Sequence, residues 1–259
     1  MAHIFFAHAN GFPAGTYTKL FQHLAPHSVA SHPALGVGDY RVKTNWKPLV
    51  QELIEVISQH QASPMVGLGH SLGAAVMLMA AQERPGLFSR LILMDPPFLG
   101  RKYRALIRIM RVFGPGLLKH AFPLSRGALG RRQHFSDPAE AATYWGSKAF
   151  FASFDPDCLQ AYVAHGLAHR DGGLTLSIPA AIEAQIFATI PSRLPELGEE
   201  LRVDYVYALG RGAVLRGNDW REFKAKYPAF HFHPREGGHM FPLEEPMNTA
   251  QFIKSLLDG

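Results

Sequence analysis

Three features of the sequence predict a mostly parallel α/β sheet flanked by helices and carrying an inserted helical segment. Short runs of apolar, β-branched or aromatic residues alternate with longer helical patterns. The strand candidates are too continuously apolar for a sheet with one wet face, so helices should cover both sides. The alternation is then interrupted by about a hundred residues of helical periodicity, too many for a structureless loop.

In chain order the strands are expected at residues 3–7, 28–33, 65–69, 91–95, 203–209 and 230–233. Pro33 lacks the N–H that a central strand must donate, which places the second of these at an edge. Amphipathic spacing predicts helices over 16–24, 46–59, 72–82, 220–227 and 247–257. Residues 98–201 form the insertion, expected to be an all-helical cap with helices over 101–113, 138–151, 156–169 and 179–188. This divides the chain into a core of 1–97 with 202–259, and the cap.

The 259 residues are 47% hydrophobic and 18% charged, enough apolar material for a sizeable core. No run of about eighteen apolar residues exists, so no transmembrane helix is expected. The amino terminus lacks a signal-peptide pattern. The single cysteine, Cys158, excludes an internal disulfide, and cytoplasmic residence is the expectation. The net charge of +5 is localised: nine Lys or Arg and no acid lie between residues 96 and 136, leaving 17 basic against 21 acidic elsewhere. That distribution argues against a nucleic-acid partner.

The sharpest motif is Gly69-His70-Ser71-Leu72-Gly73, which fits G-x-S-x-G. The string alone is weak, but an apolar strand precedes it and an Ala/Met/Leu helix follows. A serine on so tight a strand-to-helix turn needs neighbours without bulky side chains. After the first strand comes the turn His8-Ala9-Asn10-Gly11-Phe12-Pro13-Ala14-Gly15, suited to supply a backbone N–H for an oxyanion, assigned to Phe12. Leu72, opening the next helix, is the second donor. Among fourteen histidines, His239 stands out because the Gly237-Gly238 loop past the last strand lets it reach the serine as base.

HANGFP, GHSLG and GGHMFPLEEP, in this order, resemble the α/β-hydrolase superfamily, in its capped, esterase-like branch. MDPPFLG and DGGLTLSIPAAIEAQIF also look like stretches of capped members, so the likeness spans nearly the whole chain. The resemblance implies Ser71 as nucleophile and His239 as base, without cofactor or metal. It also implies a shortened fold, since the antiparallel strand pair that opens the fuller family pattern has no counterpart before residue 3. The family's customary acid, in a G-x-x-D setting after the fifth strand, is replaced by Gly210-Arg211-Gly212-Ala213. Asp95 at the end of the fourth strand is the best substitute, Asp219 is second, and a site without an acid is the third alternative. A serine at 71 disfavours the dehalogenase and epoxide-hydrolase branches, whose nucleophile is an aspartate.

The substrate expected is a small carboxylic ester or thioester with an apolar part, because the insertion is rich in aromatics: Tyr103, Phe113, Phe122, Tyr144, Trp145, Phe150, Phe151, Phe154, Tyr162 and Phe187. Carbon–carbon bond hydrolysis with the same triad and a non-catalytic binding protein are the alternatives. Arg101, Arg104, Arg108 and Arg111 share a helix face and leave two readings: contact with anionic lipid, or a solvated face with the apolar side packed inward, which is favoured.

Overall fold

The computed structural model describes residues 1–60, 64–112, 119–120, 122–170, 173–215 and 219–259. Six parallel strands form the main sheet: β1 (His3–Ala7), β2 (Ser28–Ser31), β3 (Met65–His70), β4 (Phe88–Met94), β8 (Arg202–Ala208) and β9 (His231–Arg235), in the order β2-β1-β3-β4-β8-β9. β2 is an edge strand, and Pro33 lies just beyond it. The central strands β3 and β4 are buried along nearly their whole length, which is why they read as continuous apolar runs.

Helices cover both faces. The first expected helix is split into a 3-10 turn, Ala14–Tyr17, and α1 (Thr18–His23). Then come α2 (Lys47–Ser58), α3 (Leu72–Glu83), α9 (Asp219–Lys226), the short α10 (Phe241–Glu244) and α11 (Pro246–Asp258). Two apolar clusters form the core, one on each side of the sheet. One gathers Trp46, Leu53, Leu78 and Phe223 around α2 and α3, the other Ile4, Tyr17, Leu243 and Ile253 around α1 and α11.

Between β4 and β8 the chain forms α4 (Arg101–Val112), α5 (Pro123–Leu129), α6 (Pro138–Gly146), α7 (Pro156–His165) and α8 (Ala180–Ala188). Phe113, the expected last residue of α4, lies outside the described residues. The insertion is not purely helical. A small antiparallel sheet of β5 (His134–Phe135), β7 (Gly173–Leu176) and β6 (Leu167–Arg170), in that order, sits within it. The helix expected to reach residue 169 therefore ends at His165. His165 and His169 do not stack on one helix, because His169 belongs to β6.

Helix α4 is also turned relative to the favoured reading. Its buried residues are Arg104 and Ile107, while Tyr103, Leu106, Ile109 and Val112 are exposed. The Arg104 guanidinium reaches the Leu99 carbonyl at 2.7 Å and Glu222 at 2.5 Å; Arg111 reaches the carbonyls of Thr189 and Ile190. The long arginine stems pack inward because their heads find acceptors there.

At the far end of the sheet, fully buried Asp204 on β8 accepts from Arg90 Nε at 2.7 Å and meets His233 Nε2 at 2.9 Å, joining β4, β8 and β9. Removing one partner of a buried pair strands the other charge. Asp204→Ala should cost about 3 kcal/mol of stability, read as a lowered urea midpoint with circular dichroism.

Candidate active site

The parallel strands all point their carboxyl ends the same way, so the segments that follow them converge at one edge. Ser71 follows β3 and caps α3 with φ 52° and ψ −115°. Asp95 follows β4 with φ 43°, and these two are the non-glycine residues with positive φ among the described residues. Such a backbone is strained for an L-residue, so surrounding bonds must hold it. Ser71 N–H donates to Met94 O at 2.8 Å and Asp95 N–H to Val206 O at 2.7 Å, carrying the β3–β4 and β4–β8 ladders past the strand ends.

The glycines around Ser71 are steric necessities. A Cβ on Gly69 would lie 2.5 Å from Ala74 Cα, and one on Gly73 would lie 2.1 Å from Ala7 O. Strand and helix approach this closely only without those side chains.

Ser71 Oγ lies 3.0 Å from His239 Nε2, and His239 Nδ1 lies 2.6 Å from Asp95 Oδ2. A carboxylate only accepts, so Nδ1–H donates to Asp95 and leaves Nε2 to accept the serine proton. Asp95 is fully buried and also accepts from Ala208 N and Val214 N, each at 3.3 Å. Asp219, the second candidate, opens α9 next to Gly100, where a Cβ on that glycine would lie 2.3 Å from its Oδ1.

The loop after β8, Gly210-Arg211-Gly212-Ala213, braces the histidine. His239 N–H donates to Arg211 O at 2.9 Å, and a Cβ on Gly212 would touch His239 Cβ at 3.3 Å. A cavity of about 600 Å³ opens beside this loop, lined by residues 207–213 with Leu215 and Trp220.

The oxyanion candidates differ. As the first residue of α3, Leu72 has no acceptor for its N–H within the helix, and the helix dipole favours negative charge there. Phe12 N–H instead closes a turn onto Ala9 O at 3.0 Å, so it is engaged. Its ring packs among Phe150, Phe151, Phe154 and Tyr162, with the Tyr162 centroid 4.9 Å away. Behind the turn, a buried ion pair between Arg131 and Glu183, with Tyr162 hydroxyl on the same guanidinium, abuts Gly11.

Sequence reasoning passed over His70 and Tyr17. His70 is fully buried; its Nε2–H donates to His239 O at 2.9 Å and its Nδ1 accepts from Tyr17 hydroxyl at 2.7 Å. Tyr17 oxygen in turn accepts from Ala9 N–H at 3.4 Å. One chain of bonds thus ties the turn after β1 to the histidine loop. His70 is signalled by its place beside Ser71, whereas Tyr17 carries no motif. His8 makes a parallel tie, donating from Nδ1 to Ala9 O and accepting from Leu35 N–H at 2.7 Å.

A model of the alpha/beta hydrolase family matches residues 4–252. Rat monoglyceride lipase is 31% identical over 130 residues, 46% of this chain and 42% of the lipase; the chain thus matches less than half the length of that relative. Lipase LipV of Mycobacterium tuberculosis (strain ATCC 25618 / H37Rv) is 27% identical over 252 residues, 92% of this chain and 87% of that protein. Among solved structures, E-2-(acetamidomethylene)succinate hydrolase aligns with a TM-score of 0.75 at 16% identity, covering 100% of this chain and 91% of that one. The thioesterase domain from the curacin biosynthetic pathway aligns at 0.72 and 17% identity, covering 98% and 91%. At these identities the structures speak for the fold alone.

Burial lowers the pKa of His8 from 6.5 to about 4 and pushes that of His70 well below its ordinary value, the latter helped by neighbouring His239. The unfolded chain takes up protons that these rings refuse in the fold, so both stabilise less as pH falls below 6.5, and the His8 contribution is lost as pH falls toward 4. Urea midpoints should therefore drop between pH 7 and 4.5, and His8→Gln should flatten that slope. A slope unchanged by the substitution would remove His8 from this account.

Proposed function

We propose that this chain, which belongs to the alpha/beta hydrolase family, hydrolyses carboxylic esters or thioesters through an acyl-enzyme on Ser71. The observation that carries the reading is the hydrogen-bonded line Ser71–His239–Asp95, at 3.0 Å and 2.6 Å. Names of relatives that include lipases support an ester bond as the target.

Ser71 Oγ attacks the substrate carbonyl carbon as its proton passes to His239 Nε2, and the carbonyl π electrons move to oxygen. Asp95 holds the imidazole in the tautomer that accepts this proton and stabilises the imidazolium that results. The oxyanion is received by Leu72 N–H and by the turn after β1. The Phe12 amide, the donor first assigned there, must share or release its bond to Ala9 O to take part. Collapse re-forms the carbonyl and expels the alcohol or thiol, which leaves with the proton from His239. Water, activated by the same imidazole, then attacks the acyl-enzyme and releases the acid and the free serine.

The aromatic group around Phe12, Phe150, Phe151, Phe154, Trp145 and Tyr162 supports an apolar acyl or alcohol part. We assign residues 98–201 as a cap over the core of 1–97 and 202–259, and cytoplasmic residence stays part of the proposal. Asp95 within 2.6 Å of His239 weighs against the rival reading of a non-catalytic binding protein.

Treatment with a fluorophosphonate should add one adduct by intact mass, absent from Ser71→Ala and slowed by orders of magnitude in His239→Ala. No adduct on the native chain would refute the activated serine.

A further inference from the structure

The exposed apolar side of α4 is the surface that the hydrolase chemistry does not use. Tyr103, Leu106, Ile109 and Val112 are 59%, 51%, 60% and 84% exposed, at spacings of three residues. At about 100° per residue they spread over the half of the helix opposite Arg104, Ile107 and Arg111. An exposed stripe of large apolar groups costs solubility, so its retention calls for a partner surface.

Charge decides which partner. Of the nine basic residues between 96 and 136, Arg104, Arg131 and Arg132 are paired with Glu222, Glu183 and Glu140, whereas Arg101, Lys102 and Arg108 on α4 are exposed. Two of the four arginines first considered for this role are excluded, since Arg104 and Arg111 are committed to Glu222 and to backbone carbonyls. A second copy packing through its own α4 would bring the same positive charge to this face and be repelled. An anionic bilayer offers the opposite charge and an apolar layer beneath it, which matches a helix lying in the interface. None of the described helices is long and apolar enough to cross a membrane, so the contact is peripheral.

We propose that α4 docks the protein on anionic lipid membranes, with Tyr103, Leu106, Ile109 and Val112 entering the acyl boundary and Arg101, Lys102 and Arg108 meeting lipid phosphates. This goes beyond the ester-hydrolase reading and does not depend on it.

The test is flotation of the 259-residue protein with vesicles of phosphatidylcholine alone or phosphatidylcholine with phosphatidylglycerol at three to one. The protein should float only with the anionic vesicles at low salt and be largely released at about 0.5 M salt. Leu106→Ser with Ile109→Ser should weaken binding at least about tenfold, and Arg101→Gln with Arg108→Gln about tenfold or more. These side chains are exposed, so unchanged circular dichroism should accompany each variant. No flotation at low salt, or flotation equal to wild type in the serine double variant, would overturn the proposal. So would sedimentation showing that the apolar stripe mediates self-association in place of vesicle binding.

Discussion

Two strained backbone positions at the tips of adjacent strands hold the rest of the site in register. Ser71 at φ 52° and Asp95 at φ 43° each leave the sheet through the left-handed region, where side chains other than glycine are disfavoured. Neither conformation persists on its own; each is held because its N–H bonds to the neighbouring strand, Ser71 to Met94 and Asp95 to Val206. The sheet thus spends its own ladder geometry on aiming two side chains at one imidazole. The packed core on both sides, and the glycines that let α3 lie against β1 and β3, serve that rigidity.

With Asp95, just past β4, as the proposed acid, the loop after β8 has a different task. Gly210-Arg211-Gly212-Ala213 offers the histidine no carboxylate, and the loop works through backbone: a carbonyl for His239 N–H, and a glycine against its Cβ. His70 and Tyr17 complete the enclosure from the other side, so His239 is held by its amide, its carbonyl and its ring. Burial holds the pKa of His70 down, so its ring adds no positive charge that would oppose an imidazolium at His239.

The centre of the sheet was legible because its strands are buried on both faces and bounded by turn residues: the expected strands 3–7 and 65–69 fall on β1 and β3, while 91–95 covers only the later part of β4, which begins at Phe88. The elbow was legible from Gly69, Ser71 and Gly73 with their context, and His239 from its double-glycine loop. Asp95 was legible only as one of three alternatives, since nothing local separates a carboxylate that turns toward a histidine from one that caps a Pro-Pro turn. The strands of the small sheet in the insertion escaped because each is only two to four residues long, two of the three carry His or Arg, and helical periodicity surrounds them. The orientation of α4 escaped for a physical reason: pattern alone sends apolar groups inward, but the protein presents carbonyls and Glu222 to the arginine face.

The relocated acid is the point on which the mechanism stands, and Asp95→Asn tests it most directly. Asparagine keeps the shape but accepts no charge and favours the wrong imidazole tautomer, so kcat toward a short-chain p-nitrophenyl ester should fall by about 10⁴-fold with the fold intact. A folded Asp95→Asn variant that turns over the ester at the wild-type rate would contradict the account.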